Sequence, residues 1–210
     1  MNFKKFAAIL VCSASSVFAQ SQSINFGSGL GVGLESDNSP WVSGSFFFQV
    51  GTFTTGFTPS AGNVNDWVSN WTVAAQGGTT GTTAWIDDGG DLSFSGAAAI
   101  TSLTAPFTPG KQIYIWGYDS KSNGNNEWLL LQAVSWAVES NIDTPKSSNF
   151  LTTDSGVTAV IGSRTTPSGV ETFKSALVTI GAPIPEPSSY AALAGLGILG
   201  FAASRRRRAA

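Results

Sequence analysis

The clearest signal along the chain is alternation. Phe46, Phe48 and Val50 alternate with Phe47, Gln49 and Gly51, a period of two that predicts a strand with an aromatic face. Leu92 and Phe94 alternate with Ser93 and Ser95 in the same way. Ile113 to Trp116 and Trp128 to Leu131 are unbroken apolar runs between polar turns, the form of strands buried on both faces. Val157 to Ile161 and Ala176 to Ile180 are rich in β-branched residues, and Asp119 to Asn126 has the composition of a hairpin loop. Val64, Trp67, Val68 and Trp71 fall at helical spacing, with Ser60 or Asn63 available as an N-cap. Together these predict a mainly β domain: an antiparallel β-sandwich, jelly-roll or immunoglobulin-like, with one short helix.

Both ends read as processing segments. At the front, Lys4 and Lys5 precede an apolar stretch that runs from Phe6 through Cys12 and Ala14. Val17 and Ala19 then occupy the −3 and −1 positions that signal peptidase reads. Residues 1–19 are therefore expected to be a signal helix handled by the Sec machinery, with cleavage between Ala19 and Gln20. A lipid-modified Cys12 is disfavoured, because Val11 stands where a small residue is needed. Residues 20–183 form the exported passenger and 184–210 the tail.

The tail places Pro185, Glu186 and Pro187 before an apolar segment, followed by Arg205, Arg206, Arg207 and Arg208. The prolines favour an extended linker. Ser188 to Ser204 would make a helix of roughly 26 Å against a hydrocarbon core of roughly 30 Å, so a single transmembrane helix is marginal. The arginines can reach the headgroups and hold that end inside, which leaves the passenger facing outward. A permanent anchor would explain the helix and the arginines but not the Pro-Glu-Pro box. The whole arrangement closely resembles the PEP-CTERM sorting signal, also labelled an ice-binding-protein C-terminal domain. That resemblance implies an exosortase as processing partner, transient residence in the inner membrane, and a bacterium that makes exopolysaccharide. Ile113 to Asp119 followed by Glu127 to Leu131 also resembles a passenger type found ahead of such tails, to which no activity attaches.

Charge sharpens this picture. The formal net charge of the chain is −2, yet six of its eleven basic residues lie in the two terminal segments. The passenger keeps Lys111, Lys121, Lys146, Arg164 and Lys174 against twelve Asp and Glu, a formal charge of −7. Such a domain repels phosphate backbones, which argues against nucleic acid. The sequence's single cysteine, Cys12, is in the signal segment, so a core of roughly 70% surface burial must hold without disulfides.

Little catalytic chemistry is left. The chain has no histidine, which removes Ser-His and Cys-His catalysis and the usual zinc sites. Gly27, Gly29, Gly31 and Gly33 lack the third glycine of a dinucleotide fingerprint, where Val32 stands, and read as a turn. Pro109, Gly110 and Lys111 also read as a turn, not a P-loop. Asp119, Asn123 and Gly124 suggest a calcium loop, but Lys121 and Leu130 occupy ligand positions. Asp87, Asp88 and Asp91 beside Gly89 and Gly90 are better read as a solvated turn than as a cation site. Glu127, Glu139 and the Asp87 group are the acids from which a glycan hydrolase would have to be built. Neither a catalytic residue, a metal nor a cofactor is expected.

Seven tryptophans remain. Trp67, Trp71, Trp116 and Trp128 fit a core, since each ring buries roughly 200 Å². Trp41 and Trp85 have polar or turn neighbours and are the candidates for an exposed glycan platform. The expectation is a non-enzymatic surface or matrix protein sorted by an exosortase. The alternatives are an exopolysaccharide-binding module and, behind it, a carboxylate-based hydrolase.

Overall fold

The computed structural model describes residues 21–75, 78–88, 91–166 and 170–181. The expected signal helix and transmembrane helix lie outside these residues. Among the described residues no helix is long and apolar enough to cross a membrane. The domain is mainly β, with 51% strand, one short helix and sheets that include a half-barrel.

The central sheet is built on β3 (Phe47–Phe53), β9 (Gln112–Tyr118) and β10 (Gly124–Ala137). These are the period-two run and the two apolar runs. β3 pairs with β9 and β9 with β10, all antiparallel, so that Gln49 faces Trp116, and Trp116 faces Leu130. Short strands complete the sheet at both edges. β4 (Trp71–Val73) and β5 (Thr82–Ala84) share the outer side of β3. β12 (Thr158–Ile161) and β15 (Ala176–Ile180) share the outer side of β10.

Alternation along these strands creates two cores. Phe48, Val50, Ile113, Ile115, Leu129 and Leu131 point to one face. Phe53, Tyr114, Trp116, Trp128 and Leu130 point to the other. Burial on both faces is why the runs contain no polar interruption. The first core is closed by β1 (Gln22–Gly27) and β8 (Ser95–Ile100), and by Trp41, Trp85, Phe94 and Phe173. The second is closed by Trp67, Val178 and Ile180.

Not every pairing is antiparallel. β1 runs parallel to β11 (Lys146–Leu151), and β2 (Gly31–Leu34) runs parallel to β14 (Glu171–Lys174). Each pair joins segments far apart in sequence, as parallel pairing requires. β13 (Ser163–Thr165) extends the sheet of β14, while β6 (Ile86–Asp88) and β7 (Asp91–Ser93) form a separate hairpin. The glycine run is thus not simply a turn, for Gly31 and Gly33 are strand residues. A Cβ on Gly33 would stand 2.0 Å from Trp41 Cε3, so glycine is needed there to admit the indole.

The helix is shorter than its spacing predicts. Residues 61–66 form a 3-10 turn, and α1 (Trp67–Asn70) is a single turn. Asn63 Oδ1 accepts the Ser60 N–H and the Trp67 indole N–H, each at 2.8 Å. Trp67 is fully buried, but Val68 is exposed and Trp71 is already in β4, opposite Phe53. Ladder pairing with β3 ends the helix.

The domain has two poles. The chain leaves β15 beside the start of β10, where Ile180 faces Gly124. It enters β1 beside the other end of β10, where Gln22 Nε2 donates to the Ala137 carbonyl at 3.3 Å. Those ends are separated by a 14-residue strand, or roughly 40 Å at ordinary strand rise.

Candidate functional site

The exposed platform expected at Trp41 and Trp85 does not exist. Trp41 is 5% exposed and Trp85 1% exposed. Trp41 stacks on Phe46 at 3.9 Å, meets Trp85 edge-on at 5.1 Å, and donates its indole N–H to Ser175 Oγ. Polar neighbours along the chain misled here, because both rings sit in short connecting segments that fold back onto strands, Trp41 N–H donating to the Gly33 carbonyl and Trp85 N–H to that of Phe46.

Of the seven tryptophans only Trp71 is partly exposed. It stands on the outer face of the central sheet with Gln49, Tyr118 and Lys121, over the buried Trp116. β3 supplies Gln49, β4 Trp71, β9 both Trp116 and Tyr118, and the β9–β10 hairpin supplies Lys121. Lys121 Nζ lies 3.8 Å from the Trp116 ring centroid, 4.2 Å from that of Tyr118 and 5.6 Å from that of Trp71. Gln49 Oε1 accepts from Lys121 Nζ and, at 3.0 Å, from the Trp71 indole N–H. Trp116 Nε1 is buried without an acceptor, alone in this among the described side chains, and such a group costs about 1–3 kcal/mol.

Asp119 and its neighbours hold Lys121 in place. Asp119 Oδ1 accepts the backbone N–H groups of Ser120 and Glu127, and Ser120 accepts the Trp128 indole N–H through its carbonyl. The residues that resembled a calcium loop are therefore a hairpin clasp.

Burial brings the Lys121 amine down to about 7, while the surrounding π faces favour the ammonium. In the unfolded chain the amine returns to 10.5, so between these limits the unfolded state binds the extra proton. Stability is thus expected to rise with pH from about 7 toward 10.5, and Lys121→Met should flatten that rise. Urea midpoints taken up to roughly pH 9.5 would check this. Burial raises Tyr114 and Tyr118, so they act above that range and with the opposite sign.

The acids occupy structural positions. Glu127 is buried and accepts from Ser36 N–H at 3.1 Å, Ser36 Oγ–H at 2.5 Å and Ser175 Oγ–H at 2.7 Å. It ties β10 to the chain following β2. Glu139 is partly exposed, and its backbone N–H donates to Gln22 Oε1. Asp87 is exposed in the β6–β7 hairpin. Among the described residues no three His, Cys, Asp or Glu side chains are placed to share a metal ion.

Sequence reasoning did not single out Glu171. It is buried and accepts from Arg164 Nε at 2.7 Å, Thr152 Oγ1 at 2.6 Å and Gly29 N–H at 2.8 Å. Arg164 is its counter-charge. Arg164→Met leaves a carboxylate without one in the interior and should cost about 3–5 kcal/mol of unfolding free energy, measured by urea titration. Nothing local marked this pair, because Arg164 and Glu171 resemble any surface charges near a turn.

Ala19, Gln20, Pro185, Glu186, Pro187 and Arg205 to Arg208 lie outside the described residues. The last described residue, Gly181, donates its N–H to Asn65 Oδ1 at 3.2 Å, two residues before Pro183. No curated protein and no solved structure matches the chain. Residues 183–208 do match the PEP-CTERM protein-sorting motif, and the C-terminal segment that follows β15 carries an exosortase-type sorting signal.

Proposed function

We propose that the chain is an exported bacterial cell-surface or matrix protein whose passenger is non-enzymatic. The observation that carries this reading is the sorting motif, which begins at residue 183, shortly after β15. Signal peptidase and the Sec machinery would deliver the passenger, and the exosortase would then act on the tail at the outer surface of the inner membrane. The two cores on either face of the central sheet support a layered, sandwich-like reading of the passenger. Saturation of Glu127 by three donors supports a structural acid over a catalytic one.

A second reading, exopolysaccharide binding, is favoured by one feature: the partly exposed Trp71 and Tyr118 beside the polar Gln49. Aromatic faces with adjacent hydrogen-bonding groups suit sugar rings. Full-length protein incubated with polysaccharides from the host should be retained, and Trp71→Ala should abolish retention without unfolding the domain. Equal retention of the variant would remove this reading and leave the first in place.

A further inference from the structure

We propose that Asn123 is a self-modification site, where the side-chain amide cyclises onto the backbone nitrogen of Gly124 and opens to aspartyl and isoaspartyl products. Sequence and structure point to the same residue independently. Asn123 and Gly124 form the only Asn-Gly pair in the chain. Ring closure brings the nitrogen of the following residue against the carboxamide carbon, and a residue without Cβ leaves that approach open. Gly124 has a φ of 118°, in the region that favours glycine, so the β9–β10 hairpin needs glycine there for its own geometry.

The fold leaves this one carboxamide unheld. Every other asparagine among the described residues has its side chain in a hydrogen bond. Asn25 pairs with Asn149 at 3.2 Å. Asn38, Asn63, Asn65, Asn125 and Asn141 accept through Oδ1, while Asn70 and Asn126 donate through Nδ2. Asn123 has no such bond and is exposed at the turn of the hairpin, open to water. Its nucleophile sits at the end of a ladder, for Gly124 is the first residue of β10 and faces Ile180, the last of β15. Ladder ends open at low cost, so the Gly124 nitrogen is the part of that pairing most readily released.

The step balances with water as its co-reactant. Hydroxide takes the Gly124 amide proton, the nitrogen attacks Asn123 Cγ, and the Cγ–Nδ2 bond breaks to release ammonia. Water then opens the cyclic imide. Attack at Cγ gives aspartate, and attack at the main-chain carbonyl gives isoaspartate. One water enters, one ammonia leaves, and the new carboxyl gives its proton to that ammonia. Isoaspartate lengthens the main chain between Ser122 and Gly124, whose carbonyls Asn126 Nδ2 holds together at 2.9 and 3.1 Å. The exported domain thereby gains a carboxylate with age at the pole from which the tail leaves.

This chemistry depends on neither the sorting nor the glycan-binding reading. Full-length protein is incubated in mildly alkaline buffer, sampled over time and peptide-mapped, with isoaspartate read by enzymatic methylation. Asn123 should lose its amide roughly tenfold faster than any other asparagine, a ratio equivalent to about 1.4 kcal/mol in the barrier. Both products should accumulate at that position. Asn123→Gln would have to close a larger ring, and should fold like the parent and lose the methylation signal. An Asn123 no more reactive than the other asparagines of the folded protein overturns the proposal. Loss of the amide without isoaspartate overturns the cyclic route.

Discussion

Cells with an active exosortase should accumulate uncut precursor in the inner membrane when Pro185, Glu186 and Pro187 are replaced by alanine. The physical basis is separation of tasks within the tail. Ser188 to Ser204 and the four arginines would decide insertion, through apolar length and positive charge at the inner end. The Pro-Glu-Pro box would contribute little to insertion, and its prolines favour the extended, hydrogen-bond-poor chain that a protease can accept. The alanine variant should therefore insert normally and fail only at processing, shifting nearly all of the protein from mature to full-length form on an immunoblot. Neutralising Arg205 to Arg208 should do the reverse and weaken retention before processing. If mature protein from such a host still carries its arginines, the tail is an anchor and the sorting role fails.

Trp41→Ala should cost about 3–5 kcal/mol of unfolding free energy, a large share of the roughly 5–15 kcal/mol that holds a domain of this size together. The ring fills space among Phe46, Phe48, Trp85 and Phe173, and Gly33 has no side chain with which to close the gap. Truncation also leaves Ser175 without the indole N–H it accepts. Urea unfolding would show a lower midpoint with little change in slope. Trp71→Ala should cost clearly less, because that ring already meets solvent. Equal costs for the two would mean that the first core tolerates a cavity it is not expected to tolerate.

Much of the sheet was legible because strand periodicity is local. Phe46, Phe48 and Val50 reveal one buried face by themselves, and Ile113 to Trp116 reveals two. The helical spacing of Val64 to Trp71 was legible and incomplete for a corresponding reason. It records a local preference over eight residues, and the hydrogen bonds of β3 outweigh that preference at Trp71.

The sequence by itself determined the mainly β class, the twin apolar strands at the centre, the sorting tail and the want of histidine chemistry. Each depends on residue type or short-range order, which folding does not alter. Only the tertiary structure decided that Trp41 is core and Trp71 is surface, that Arg164 meets Glu171, and that Lys121 lies over Trp116. These follow from which segment covers which. Gln49 meets Lys121 because β3, distant in sequence, pairs with β9 in one register beside the hairpin that carries the lysine. Gly33, by contrast, sits beneath Trp41 because the chain after β2 folds back on it.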